Sequence, residues 1–356
     1  MQDSSLRFLR SLLDSPGPSG FEGGPARIWR DEANGFADSC TRDVNGNSFA
    51  TIKGSAEAPT IMFAGHIDEI GLMILHIDDD GYLWFETIGG WDEQVFVGQR
   101  VVLLTKAGPV RGVIGKKAIH LMEKEDREKP TKAKDLWIDI GAINQAEAAT
   151  RVRVGDAGVL DSGFLEMPNG RIVSRSIDNR IGAFVVLEAL RLLAKGRPKA
   201  TVTAVATAQE EIAYTGGGAR TSATALSPAV AIVVDVTHAT DTPGVEKKRH
   251  GDFRLGGGPV LSRGAATNPV VVDLLIAAAE AEGIPYALHA APKFTATDAD
   301  AIFTTSRGVA TGLVSVPNRY MHSPNEMVTV DDLDRTAQLL AGFARRFTND
   351  TDLTAR

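Results

Sequence analysis

Residues 60–68 read TIMFAGHID: an uninterrupted apolar run, closing on a histidine and an aspartate. Three further runs have the same character: TVTAVATAQ (201–209), VAIVVDV (230–236) and ATGLVSVP (310–317). Short β-branched stretches with few polar residues are what strands covered on both faces look like. Between them lie amphipathic helical stretches, GAFVVLEALRLLAKG (182–196), NPVVVDLLIAAAEAEG (268–283) and VDDLDRTAQLLAGFARRF (330–347). The first two stop at glycine, and the third carries Asp331 and Asp332 in its first turn and Arg345 and Arg346 in its last, as the helix dipole favours. Leu6, Leu9 and Leu13 fall at helical spacing near the start. Strands alternating with helices predict an α/β fold with its sheet flanked by helices.

The interval from 70 to 164 is different. GLMILHIDDDGYLWFETIGG reads as two apolar runs around an acidic turn, and RVVLLTKAGPVRGVIG repeats the hairpin pattern around Ala107, Gly108 and Pro109. MEKEDREKPTKAKD has no apolar period and reads as an exposed loop; LWIDIGA and VRVGDAGVLD add short strands. With a helix expected only over Gln145–Thr150, residues 70–164 read as an all-β domain inserted into a domain formed by 1–69 and 165–356. Trp84 and Phe85 are expected to be exposed on it and to contact other subunits.

The net charge of -7 lacks the basic footprint that nucleic-acid binding needs. No apolar run is long enough to span a membrane, and the first residues lack the pattern of a secretory signal. A single cysteine, Cys40, fits a reducing, cytoplasmic setting and is too few for a thiolate metal site. Any metal must therefore be held by histidine and carboxylate.

Acidic and histidine-bearing segments sit where the apolar runs end, and the carboxyl edge of an open α/β sheet is where such folds place their sites. FAGHIDEIG offers His66 and Asp68, two apart and so on one face; Asp68 is placed to orient the imidazole. SRSIDNRIG offers Asp178, which reads equally well as a helix N-cap. ATAQEEIA offers Glu210 and Glu211, whose side chains diverge, so that one can bind a metal while the other takes a proton; two carboxylates after a buried strand need cations nearby. IVVDVTHATDTPG offers Asp235, alternatively a turn starter, and RYMHSPNE offers His322, which alone would be unremarkable. Two imidazoles and several carboxylates suit a pair of zinc-like divalent ions. His238, His250 and His289 have no flanking acidic pair and are set aside. Gly216, Gly217 and Gly218 read as a flexible turn, since the lysine of a phosphate loop is missing. Neither the Gly-x-Ser-x-Gly elbow nor the His-Glu-x-x-His helix occurs.

In this order the segments SPGPSGFEG, GHIDEIG, GQRVVLL, GVIGKKAIHLM, LWIDIGA, IDNRIG, QEE, DVTHATDTPG, TDADA and YMHSP resemble the two-metal aminopeptidases that include glutamyl aminopeptidase and the tetrahedral aminopeptidases, some relatives of which carry an endoglucanase label. The resemblance implies a phosphorylase/hydrolase-like catalytic domain with a mixed sheet, an inserted barrel-like β domain and homo-oligomers, often dodecamers. It implies His66, Asp178 and Asp235 as ligands of one divalent ion and Asp178, Glu211 and His322 as ligands of the other, with Glu210 as general base and Asp68 supporting His66. Zinc is the first expectation for the metal, with cobalt or manganese as alternatives, and peptides with a free N-terminus are the expected substrates. IAYTGGGARTSA after Glu211 and APKFTATDADA, with Asp300 where glycine is common, depart from the family pattern and bear on the substrate pocket. The rival readings are a two-metal deacylase or carboxypeptidase with the same ligands, a glycosidase, and a metal-bound scaffold without turnover. A cellulase would need free paired carboxylates and an aromatic-lined groove, and a scaffold would have no use for Glu210.

Overall fold

A computed structural model describes residues 1–55, 59–213, 216–348 and 350–355. Its centre is an eight-stranded sheet with spatial order Ser39–Arg42, Ser48–Ile52, Thr201–Thr207, Thr60–His66, Val230–His238, Ala310–Asn318, Val260–Gly264 and Ala287–Ala291. The four middle strands run parallel, and Ser48–Ile52 and Val260–Gly264 pair antiparallel on either side, making the sheet mixed.

Alternation along the strands explains why they look apolar throughout. Ile61 and Phe63 point into one core layer with Phe8, Trp29, Phe184 and Leu340. Met62 and Ala64 point into the other, with Ala219, Ala223 and Ile302. The first layer is roofed by the helices Asp3–Asp14, Ile177–Lys195 and Val330–Arg346, the second by Gly217–Leu226 and Asp298–Phe303. The helix expected to be amphipathic from 182 is instead buried along most of its length and opens earlier, at Ile177. It lies so close to the sheet that a Cβ on Gly65 would sit 2.4 Å from the Gly182 carbonyl carbon. That approach brings the end of the Thr60–His66 strand against the start of the helix.

A second body of structure is a closed barrel of six strands, Gly71–Ile77, Leu83–Ile88, Trp137–Asp139, Gly108–Gly115, Arg100–Thr105 and Ala157–Leu160, with every neighbouring pair antiparallel. Closure removes the edges an open sheet would expose. Its interior holds Leu72, Ile74, Phe85, Phe96, Leu103 and Ile138. The expected exposure of Trp84 and Phe85 is wrong. Phe85 is only 4% exposed and meets Phe96 edge-on at 5.7 Å, while half-buried Trp84 donates its indole N–H to Asp78 at 3.0 Å. Exposed apolar residues of this segment include Leu75, Val113, Leu121, Ile143 and Val154. The charged segment 122–135, between the strands Gly108–Gly115 and Trp137–Asp139, is largely exposed as expected, except that Ala133 is buried in the barrel core.

The glycine run is also not a free turn. Gly217 and Gly218 open the helix Gly217–Leu226, and a Cβ on Gly218 would fall 2.0 Å from the Asn47 side-chain oxygen. Tyr214 and Thr215 of that segment lie outside the described residues. Asp300 holds the neighbouring loop by accepting from the Thr295 and Ala296 backbone N–H groups. No helix among the described residues is long and apolar enough to cross a membrane.

Candidate metal centre

All seven residues singled out in the sequence converge at the carboxyl ends of the parallel strands. His66 ends its strand, and Asp68, two residues on, is fully buried. Asp68 accepts from the backbone N–H groups of Glu210 (3.2 Å) and Glu211 (3.1 Å), so it fixes the loop that carries both glutamates. Its Oδ1 is 3.4 Å from His66 Nδ1, within ion-pair reach although the buried Nδ1 makes no hydrogen bond.

Asp178 stands between the two imidazoles. Its Oδ1 is 3.3 Å from His66 Nε2 and its Oδ2 is 3.4 Å from His322 Nε2. The residue sits in the first turn of the helix Ile177–Lys195 with non-helical dihedrals, and its bond to Asn179 is cis. Asn179 ties this turn to the sheet by donating to the Val234 carbonyl at 2.8 Å. Glu210 lies 3.7 Å from His66 Nε2 and Glu211 lies 3.5 Å from His322 Nε2, so the adjacent glutamates flank opposite sides as expected. Asp235, on the Val230–His238 strand, closes the group from the sheet. Among the described residues, two sets have ligand atoms within 4.8 Å of one another: His66 with Glu210 and Asp235, and His66 with Asp178 and Glu211. Both include His66, whereas the resemblance gives His66 to one ion and assigns no metal to Glu210.

His322 comes from a loop in which its own φ is +58°, and the barrel sets its ring. The Gly90 carbonyl, just after the strand Leu83–Ile88, is 2.6 Å from Nδ1. With Nδ1–H donating there, Nε2 faces Asp178 and Glu211. An imidazole oriented through its far nitrogen by a carbonyl is the usual arrangement of a metal-binding histidine.

The electrostatics describe a site short of positive charge. Burial pulls His66 down, but Glu210, Asp178 and Asp68 outweigh it and hold the imidazole well above its ordinary range. Asp178 and Glu211 push His322 up to about 11. Burial raises Glu210, Glu211 and Asp235, while His322 and His66 hold Asp178 low against the same burial. Five carboxylates share two imidazoles in a buried setting, and unpaired buried charge is strongly destabilising. The donor set of imidazole nitrogens and carboxylate oxygens, with no thiolate, fits divalent ions of the zinc type.

Several neighbours went unrecognised in the sequence. Glu326, 2% exposed, accepts from the Asp178 N–H (2.9 Å) and the His322 N–H (2.9 Å), one through each oxygen. An acid opening the otherwise apolar strand Glu326–Thr329 was the available signal. Glu22, raised to about 7 chiefly by burial, accepts from the Gln209 N–H and so braces the turn before Glu210. Asp298, raised to about 6 by burial, accepts from the Thr207 hydroxyl. Beneath the site, Glu69 pairs with Arg180 (2.7 Å) and Arg175 (3.3 Å), and Arg180 also donates to the Ile67 carbonyl. His238, His250 and His289, set aside from sequence, line the cavity that opens beside the cluster.

Because Glu326 holds two site residues by their backbones, Glu326→Ala should leave the protein folded but weaken divalent-metal binding about 10–100-fold. Competition against a chelator of known affinity measures it; unchanged affinity would remove Glu326 from this role.

The M42 glutamyl aminopeptidase model matches residues 46–339. The lysyl aminopeptidase of Pyrococcus furiosus is 35% identical over 335 residues, covering 93% of this chain and 94% of its own length. A TET aminopeptidase from the marine sediment archaeon Thaumarchaeota archaeon SCGC AB-539-E09 superposes with a TM-score of 0.92 at 34% identity, covering 98% of both chains. The Pyrococcus horikoshii TET1 peptidase, described as assembling into a tetrahedron or a large octahedral shell, gives a TM-score of 0.85 at 30% identity over 96% of this chain and 100% of its own. With the family model and a relative of this identity both spanning most of its length, the chain belongs to the M42 glutamyl aminopeptidase family and is a metal-dependent hydrolase acting as an exopeptidase.

Proposed function

We propose that the cluster holds two divalent ions and that Glu210 is the general base of N-terminal peptide-bond hydrolysis. The observation that carries this reading is Asp178, with one carboxylate oxygen toward each imidazole. On it, His66, Asp178 and Asp235 hold one ion and Asp178, Glu211 and His322 the other; zinc suits the donors, as cobalt or manganese would. Bound ions of this kind supply Lewis acidity, lowering the pKa of a water and polarising the scissile carbonyl.

The protein's own groups do the rest. Glu210 accepts the proton of the attacking water and returns it to the leaving amine; burial has already raised its affinity for a proton, which suits an acid–base group working near neutrality. Asp68 supports this by holding the Glu210 and Glu211 backbones and facing His66. Cavity walls on one side of the cluster provide room for the N-terminal residue. Glu210→Gln should lower kcat by about 10²–10⁴-fold with metal content unchanged. Near-normal turnover, or loss of metal, would mean that the roles of Glu210 and Glu211 are assigned wrongly.

A free α-amine is required on this reading, because the neutral amine is a donor that the site can hold and an acetylated one is not. Matched peptides with free and acetylated N-termini should therefore be cleaved only in the free form, one residue at a time, as product masses report. Faster cleavage of the acetylated peptide would point to deacylase chemistry on the same ligands.

We further propose that residues 1–69 and 165–356 form the catalytic domain, and that 70–164 serve subunit assembly and substrate access. The barrel's exposed Leu121, Ile143 and Val154 support this, as does the shell-forming TET1 relative. Light scattering should find a homo-oligomer, twelve subunits by likeness to that family; a monomer at micromolar concentration contradicts it.

A further inference from the structure

The segment SPGPSGFEG (15–23) supplies no residue of the cluster, yet its Glu22 reaches the turn that carries Glu210. Past the strand Thr201–Thr207, four consecutive backbone N–H groups each donate to a side-chain oxygen. Asn47 accepts from Ala208 at 2.9 Å, Glu22 from Gln209 at 3.1 Å, and Asp68 from Glu210 and Glu211. The three acceptors come from distant parts of the chain, and all are buried. Gln209 is the special position among the four. Its φ is +61°, in the left-handed region that a residue with a Cβ enters only against steric resistance. That reversal turns the chain out of the strand and into the cluster, where Asp68 holds the next two N–H groups.

Glu22 is firmly placed to hold this turn. It is 6% exposed, and the Oε1 that receives the Gln209 N–H also receives the Gly20 N–H at 2.7 Å. Directly after it begins the helix Gly23–Ala33, whose buried Trp29 donates its indole N–H to the Ala183 carbonyl at 2.8 Å. Ala183 belongs to the helix Ile177–Lys195, which carries Asp178 in its first turn. Glu22 thus ties the Glu210 turn to the helix that sets the carboxylate between the two imidazoles.

We propose that Glu22 is a positioning residue for the hydrolysis: its acceptor oxygen keeps Gln209 left-handed and so aims the Glu210 carboxylate at the attacking water. The inference rests on the reading of Glu210 as general base. Without that acceptor the turn relaxes toward ordinary dihedrals and carries Glu210 out of line. Misplacing a catalytic group by about 1 Å costs on the order of 10²-fold in rate. Glu211, one residue further on, keeps its Asp68 contact and its place beside His322. The loss therefore falls on kcat and spares KM and metal content.

The test measures kcat, KM and bound metal for metal-loaded, full-length protein with a chromogenic leucyl amide. Glu22→Leu should lower kcat about 10–100-fold, with KM and metal content unchanged. Glu22→Gln keeps an acceptor at the same reach and should bring kcat back to within about 3-fold of wild type. In a Glu210→Gln background the residual rate should not respond to Glu22→Leu, because the base that Glu22 aims is already gone. Should Glu22→Leu fail to fold, Glu22→Asp draws the oxygen back by a methylene and should show the same loss in kcat alone. Wild-type kcat in Glu22→Leu or Glu22→Asp would overturn the proposal and leave the aminopeptidase reading standing. So would a Gln variant as slow as the Leu variant, loss of metal along with rate, or an equal further loss in the Glu210→Gln background. Near-normal turnover by Glu210→Gln would instead overturn the reading beneath, and the proposal with it.

Discussion

The Asp178 carboxylate, spanning His66 and His322, is the interaction on which the rest of the site depends. One imidazole ends a sheet strand and the other comes from a loop steered by the barrel, so Asp178 joins the two parts of the molecule at one point. The fold goes to some length to place it. Glu326 holds its backbone, Asn179 pins the turn to the sheet, and the approach of Gly65 to Gly182 fixes the distance between strand and helix. Below, the Glu69–Arg180–Arg175 network satisfies the charges of the loop that follows His66. Each of the hydrogen bonds and ion pairs among these would be expensive to break, since each would leave a buried polar group unpaired.

Putting five carboxylates around two imidazoles is a choice that stability alone would not favour. Burial raises three of them, and the carboxylates beside the histidines make these hold protons more strongly than usual. On the two-ion proposal, cations would relieve this strain, and their binding would require the two histidines to give up their protons. Function and stability are therefore linked through the same charges, with the scaffold carrying the cost when ions are lacking.

Much of this was legible in the sequence because of how strands and ligands must look. The parallel strands are covered on both faces, so Ile61 and Met62, or Val233 and Val234, are all apolar, and the acids that follow such runs stand out. The long helices could be read from their caps at Gly196 and Gly283 and the dipole charges of the last one. What could not be read depends on contacts between distant segments. Glu326 and Glu22 matter through the backbones they brace, which no local pattern reports. His238 and His289 meet at the cavity from strands that two others, Ala310–Asn318 and Val260–Gly264, separate in the sheet. Three glycines look like a loop, yet Gly217 and Gly218 open a helix, and Asn47 leaves no space for a side chain at Gly218. Phe85 and Trp84 could not be sorted into inward and outward faces until the barrel's closure fixed which side is core.

The central claim is that this cluster is balanced by two cations, and calorimetric titration of the metal-free protein tests it most directly. Two equivalents of zinc, cobalt or manganese per chain should bind, with protons released, as seen by repeating the titration in buffers of different ionisation enthalpy. Release is expected because the surrounding carboxylates raise both His66 and His322 above the ordinary imidazole range. One equivalent, or binding without proton release, would contradict the two-ion account.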